Sequence, residues 1–263
     1  MISSYTNQKV KRIVSYIQKN KARREDDVFI VEGMKMIYEV PKKSLKEIYV
    51  SESFSKKNEQ DMQYLKLTGA EFEVTSDDVF KKMADTQTPQ GVLAVVRQFH
   101  YKLSDILDSK DSAPLILILE SIQDPGNLGT MLRSGEGAGV TGIIMSRDTA
   151  DIYNPKVVRS TMGSIFRLPF IYTDNLSEIV KELKQRNVTT YAAHLKGRHN
   201  YDEVDYKKAT AFMIGNEGKG LSRETADSAD EYILIPMLGK VESMNAATSA
   251  AILTFEAARQ RRQ

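Results

Sequence analysis

The sequence contains no cysteine, which excludes a disulfide framework, a thiolate metal site and a cysteine nucleophile together. Histidine is scarce as well. His100, His194 and His199 are scattered and make no H-x-x-x-H spacing, so no resident metal is expected. No apolar run approaches the roughly 20 residues that a bilayer requires. The longest, Pro114 to Leu119, is the length of a strand. Met1 to Lys11 is polar and lacks the apolar core of a secretory signal. A cytoplasmic protein that makes no use of a membrane is therefore expected. An excess of one charge is also missing: 37 Lys+Arg against 35 Asp+Glu leave +2. That balance excludes a histone-like polycation but allows a local basic patch.

What is present is ordinary for a folded protein. The chain has 263 residues, 41% hydrophobic and 27% charged. That length suits one large or two small domains, and the composition argues against general disorder. The near-neutral total hides an asymmetry. Between Met1 and Arg24 lie Lys9, Lys11, Arg12, Lys19, Lys21, Arg23 and Arg24, and no acid. Val10, Ile13, Val14 and Ile17 recur at i, i+3, i+4 and i+7, which predicts an amphipathic helix with a basic outer face. Such a face is either simply solvated or binds phosphate. For phosphate, Lys9, Lys11, Arg12 and Arg23 are the candidate RNA contacts.

Strands are expected at 28–31, 48–50, 72–74 and 91–96, with helical patterns between them. Ser76 or Asp77 is placed to cap the helix that runs to Met83. This is a small α/β domain over 1–97. The polar stretch 98–112, with Asp105, Asp108, Lys110, Asp111 and Ser112, reads as a linker. From 113 to 263 strands and helices alternate again, which implies a mostly parallel sheet covered on both faces. Ligands of such sheets sit in loops after the strands. A long Ala-rich helix is expected over 245–262, and its closing Arg259, Arg261 and Arg262 complement the helix dipole. Tyr5, Tyr16, Phe29 and Tyr49 are expected mainly in the core, with stacking on RNA bases as the other reading.

Two glycine-rich runs invite nucleotide motifs and fail them. Gly135-Glu-Gly-Ala-Gly139 follows a helix and its third glycine comes one residue early for a dinucleotide fingerprint, so helix termination is the better role. In Gly215-Asn-Glu-Gly-Lys-Gly-Leu-Ser222, the position five before Gly218 is Met213. Gly220 also stands where a Walker motif needs a hydroxyl. The loop still follows a strand and offers backbone N–H groups to a ligand.

Three segments belong together: Asp124-Pro-Gly-Asn127-Leu-Gly-Thr-Met-Leu-Arg133, Ile214-Gly-Asn-Glu-Gly-Lys-Gly-Leu221, and Ile235-Pro-Met237 followed by Val241-Glu-Ser-Met-Asn-Ala-Ala247. In order and spacing they resemble the SpoU/TrmH family of the SPOUT RNA methyltransferases. Ser4-x-x-Asn7-x-x-Val10-Lys11, Phe29-x-Val31-Glu32-Gly33 and Thr86-x-x-Pro89-Gln90-Gly91 resemble the substrate-binding domain of its ribosomal RNA ribose methyltransferases, itself similar to a small ribosomal-protein fold. The last motif departs from the commoner S-L-N-V-S: Met244 conserves volume, while Ala247 replaces a hydroxyl.

The resemblance implies a ribosomal-protein-like α/β domain followed by a SPOUT domain with a parallel sheet and a deep trefoil knot. It implies methyl transfer from S-adenosylmethionine to a ribose 2′-hydroxyl of structured, 23S-type ribosomal RNA. It also implies a homodimer formed through the knotted region. Arg133 is the implied catalytic residue, joined in the catalytic site by Asn127, expected to bind substrate or hold the active-site loop, and by Glu217, Ser243 and Asn245. Glu217 is expected to fix Arg133 or the knot loop, and Ser243 and Asn245 to orient the ribose and Arg133. Gly215, Asn216, Gly218, Leu195, Ile235 and Met244 are the implied cofactor pocket. The alternatives are a transfer-RNA methyltransferase, which the N-terminal half disfavours, and a non-catalytic RNA-binding or ribosome-assembly factor, which the intact polar motif residues disfavour.

Overall fold

The computed structural model describes residues 1–108 and 113–262. Lys110, Asp111 and Ser112 of the expected linker lie outside the described residues. The chain divides into two compact units, Met1–Phe99 with Asp151–Phe166, and His100–Ala150 with Arg167–Gln263.

In the first unit the expected amphipathic helix is α1 (Gln8–Gln18), which buries Val10, Ile13 and Tyr16. The side chain of Asn7 caps it by accepting from the Lys9 N–H. After a break at Lys19 come α2 (Asn20–Glu25), β1 (Val28–Glu32) and α3 (Met34–Glu39). Then follow β2 (Leu45–Ser51), α4 (Glu52–Lys57), α5 (Glu59–Lys66), β3 (Glu71–Thr75), α6 (Asp77–Met83) and β4 (Val92–Arg97). The helical pattern expected between the second and third strands is thus two helices, broken at Asn58. Ser76, rather than Asp77, caps α6. The sheet order is β1-β4-β2-β3. β4 runs antiparallel to both β1 and β2, while β2 and β3 are parallel.

The second unit begins inside the expected linker. Helix α7 (Leu103–Leu107) carries Ile106, which is fully buried in that unit's core. Next are β5 (Leu115–Leu119), α8 (Pro125–Gly137) and β6 (Gly142–Ser146). The following helix, α9 (Pro155–Ser160), is part of the first unit. The second unit resumes with β7 (Phe170–Thr173), α10 (Leu176–Gln185), β8 (Thr189–Ala193), the two-residue β9 (His199–Asn200) and β10 (Thr210–Ile214). It ends with α11 (Arg223–Asp227), β11 (Glu231–Leu234) and α12 (Ala246–Arg261).

Its sheet has the order β7-β6-β5-β10-β8-β11-β9, and every pairing is parallel. β5 is central and apolar at every position, as a strand covered on both faces must be. Ile116 and Ile118 pack with Ile106, Val180 and Leu183 on one face. On the other, Gly135 of α8 would place a Cβ only 3.4 Å from Leu117, so its missing side chain lets the helix lie close to the sheet. Gly139, at φ +83°, ends that helix, as the glycine run suggested.

Two expected surface arginines are structural. Arg23 is 3% exposed. Its Nη1 donates to the backbone oxygens of Tyr16 and Ile17, and its Nη2 pairs with Asp151. A guanidinium enclosed in this way cannot reach an RNA phosphate, so Arg23 leaves the set of RNA-contact candidates. Beside it, Phe29 packs on Phe99, Tyr153 and Phe166, which joins segment 151–166 to the first unit's core. Tyr16, Phe29 and Tyr49 are buried, so none is a base-stacking platform; Tyr5 is exposed. At the other end of the chain, Arg261 donates to the backbone oxygens of Tyr206, Ala113, Pro114 and Lys208. It anchors the end of α12 to the starts of β5 and β10, so dipole complementarity is not its main role.

Candidate active site

The site lies where the second unit's strands end, at the loops after β5, β8, β10 and β11. After β5, Asp124 caps α8 by accepting from the Asn127 N–H at 2.8 Å, and Pro125 occupies the first turn. These two residues start the helix, and Asn127 is therefore held in its first turn.

After β10 the chain doubles back. Asn216 and Gly220 form a backbone bridge. Gly220 adopts φ +70°. A Cβ on Gly215 would fall 2.1 Å from the backbone of Gly220 and Leu221, so only glycine fits there. The Asn216 amide fixes the turn from inside. Its Oδ1 accepts from the Gly218 and Lys219 N–H groups, and its Nδ2 donates to the Ser121 carbonyl at 2.8 Å.

That turn presents Glu217 to the β5 loop. Its carboxylate accepts from the backbone N–H groups of Gln123 and Asp124 and, at 3.0 Å, from Asn127 Nδ2. Asn127 Oδ1 in turn accepts from Asn245 Nδ2 at 2.9 Å. Asn245 is the N-cap of α12, and its Oδ1 accepts from the Ala247 and Thr248 N–H groups. A continuous bridge Glu217–Asn127–Asn245 thus joins the three motifs. Partial burial pushes the Glu217 carboxyl up, but the hydrogen bonds from Asn127 and the backbone outweigh it and hold the group below the ordinary carboxylate value. Glu217 is an anion at neutral pH whose oxygens are already occupied.

The other polar motif residues are not joined to this bridge. Arg133 is exposed and forms no hydrogen bond or ion pair among the described residues. It stands six residues beyond Asn127 on α8, about 9 Å along the axis and roughly a third of a turn around it. Glu217 and Asn245 therefore hold Asn127, and neither bonds Arg133, one of the two partners expected for each. Ser243 is exposed, with no hydrogen bond among the described residues.

Next to the bridge lies a cavity of about 280 Å³, at the small end of ligand pockets. All six residues expected to hold a cofactor line it: Leu195, Gly215, Asn216, Gly218, Ile235 and Met244. Met237, Lys219, Glu242 and Ser243 line it as well. Lys219 and Glu242 went unnoticed in the sequence because each looks like a solvated loop charge. The lining combines aliphatic and thioether side chains, suited to a flat heterocycle, with one lysine, Lys219, and two carboxylates, Glu217 and Glu242, so that both signs of charge are present for a zwitterion. That donor set fits a nucleoside-linked amino acid. No group of three or more metal-ligating side chains occurs among the described residues, and no helix among them is long and apolar enough to cross a membrane.

Comparison with known proteins matches these two parts of the chain separately. Residues 114–255 match the SpoU rRNA Methylase family, and residues 7–94 match the MRM3-like substrate binding domain. A relative from Bacillus subtilis (strain 168) is named 23S rRNA (guanosine(2553)-2'-O)-methyltransferase RlmP. It is 33% identical over 97% of this chain and 97% of its own length. The SpoU methyltransferase AviRb from Streptomyces viridochromogenes, solved with the cofactor AdoMet, superposes with a TM-score of 0.88 at 25% identity over 98% of this chain and 99% of that one. An AdoMet-bound rRNA methyltransferase from Sinorhizobium meliloti gives 0.85 at 30% identity over 98% and 97%.

Proposed function

Since the chain belongs to the SpoU rRNA methylase family, we propose how its own residues perform that family's reaction. The protein is an S-adenosylmethionine-dependent methyltransferase that modifies a ribose 2′-hydroxyl in ribosomal RNA of the 23S type. The cofactor supplies an electrophilic methyl group on a sulfonium sulfur. The protein must hold the hydroxyl in line with that methyl and stabilise the oxygen as its proton leaves.

The observation that carries the residue assignments is the Glu217–Asn127–Asn245 bridge at the edge of the cavity. It fixes the direction of the Asn127 amide and leaves one N–H of that amide unused, aimed by its neighbours rather than by solvent. Glu217 is a positioning residue: a carboxylate with a depressed pKa and occupied oxygens is a poor base. Arg133 is unpaired and always charged, so its role is to clamp the target phosphate and stabilise the developing oxyanion. Ser243, unpaired at the cavity edge, is assigned to the ribose. Leu195, Gly215, Asn216, Gly218, Ile235 and Met244 hold the cofactor.

Guanosine is the target nucleoside favoured by the names of the relatives. The first unit supplies RNA binding, with Lys11 as the exposed cation of α1. A homodimer, a trefoil knot in the second unit and a cytoplasmic location complete the proposal.

The test is mass-spectrometric mapping of ribose methylation in ribosomal RNA incubated with the purified protein and methyl-labelled S-adenosylmethionine. A single 2′-O-methylated position is expected. Arg133→Ala should lower methyl transfer by at least about a hundredfold while cofactor binding stays near wild type. Undiminished transfer in that variant would remove Arg133 from the mechanism.

A further inference from the structure

The cations that marked α1 as an RNA face are largely compensated. Lys9 pairs with Glu73 at 2.6 Å, Arg12 pairs with the buried Glu47 at 2.6 Å, Lys21 lies near Glu25, and Arg23 is enclosed. The first unit instead has a cleft of about 400 Å³ where the ends of β2 and α4 meet the start of α6 and the turn into β4. Phe54, Phe80 and Pro89 are among its lining residues, the two rings themselves buried. Lys57, in the last turn of α4, and Lys81, in the last turn of α6, line it. Both are exposed, and neither has an ion-pair or hydrogen-bond partner among the described residues.

The polar lining is also partly uncommitted. Gln90 is exposed and unpaired among the described residues. Asn58 donates its Nδ2 to the Phe54 carbonyl and keeps its Oδ1 open. The one carboxylate in the lining, Asp77, is held by the N–H and O–H of Ser53. The cleft depends on two glycines in the left-handed region. A Cβ on Gly91 (φ +88°) would fall 2.8 Å from Phe54 Cβ, and one on Gly33 (φ +90°) 2.8 Å from Gln90 Oε1. Two short motifs from the sequence converge here without a role in methyl transfer: Glu32 accepts from the Thr86 hydroxyl and from the Asp85 N–H.

We propose that this cleft takes an unpaired nucleotide of the ribosomal RNA substrate, with Lys57 and Lys81 on its phosphates and Gln90 on its base edge. The inference rests on the reading that the chain methylates ribosomal RNA. Open amide groups and two free cations in one concave site match the demands of an unpaired nucleotide, whose base edge offers hydrogen-bonding groups and whose backbone offers phosphates. A small anion would use the lysines and leave the amide groups of Gln90 and Asn58 idle.

The test uses the full-length protein with deproteinised 23S-type ribosomal RNA. In Lys57→Ala/Lys81→Ala, KM for RNA should rise about tenfold with kcat and cofactor affinity unchanged. The dependence of RNA affinity on salt should become shallower by about two units of log–log slope, one per lost phosphate contact. Gln90→Ala should raise KM without changing the slope. Wild-type KM and slope in both variants would overturn the cleft. If the wild-type protein binds this RNA but methylates none of it, the reading of function fails, while the slope still decides the cleft on its own.

Discussion

At the scale of single residues, Glu217 shows how a charge can serve geometry rather than chemistry. Three donors converge on its carboxylate, and Glu217→Gln replaces one accepting oxygen by a donor facing donors. Methyl transfer should fall about tenfold or more, because the Asn127 amide loses its fixed direction. The cost in stability should be small, under about 1 kcal/mol, because the side chain is exposed. Its pH dependence has a definite sign. The folded-state pKa lies below the ordinary value, so the carboxylate's contribution is complete above the unfolded pKa and is lost as pH falls through the folded one. Denaturant melts of wild type and variant from neutral pH down to about pH 3 should therefore converge in acid. A gap that widened there would contradict the assignment. Asn127, Glu217 and Asn245 were all visible in the sequence as motif positions. Which of them touch was not, because hydrogen bonds across 90 and 118 residues leave no local pattern.

At the scale of elements, the basic first helix separates into unlike parts. Its periodicity was legible, and α1 buries the stripe its spacing predicts. The fate of its charges was not, because each partner comes from a distant element: Glu73 for Lys9, Glu47 for Arg12 and Asp151 for Arg23. Helix α7 was hidden for a related reason: it is five residues long and a single side chain, Ile106, is fully buried, so the polar residues around it dominate the reading. Strand β5 was plain, because a central parallel strand is apolar throughout. The distinction among the cations is testable. Arg23→Ala leaves the buried side of Asp151 without its partner and should cost about 3 kcal/mol in urea unfolding, with the salt dependence of RNA binding unchanged. Lys11→Ala, at an exposed position, should stay within about 0.5 kcal/mol of wild type. Equal stability losses would mean that Arg23 is no more structural than its exposed neighbour.

At the scale of the whole chain, the division between units does not follow the sequence. A composition break near residue 98 suggests that the first unit is complete by then, yet Asp151–Phe166 belongs to it. That segment supplies Asp151 to Arg23 and two of the rings that cover the fully buried Phe29. It also supplies Arg159, which pairs with Asp85. Nothing in residues 1–99 replaces these groups: without them a buried guanidinium loses its carboxylate and an aromatic core side chain meets water. A fragment of residues 1–99 should therefore keep its β1-β4-β2-β3 sheet but melt at lower temperature, with a broader transition, and bind a hydrophobic dye that the full-length protein excludes. Joining residues 151–166 to that fragment through a flexible linker should restore a sharp transition and abolish dye binding, and Asp151→Ala within the joined segment should undo part of the rescue. A sharp, dye-free transition in the 1–99 fragment alone would show that the segment is an accessory rather than a part of the first unit's core.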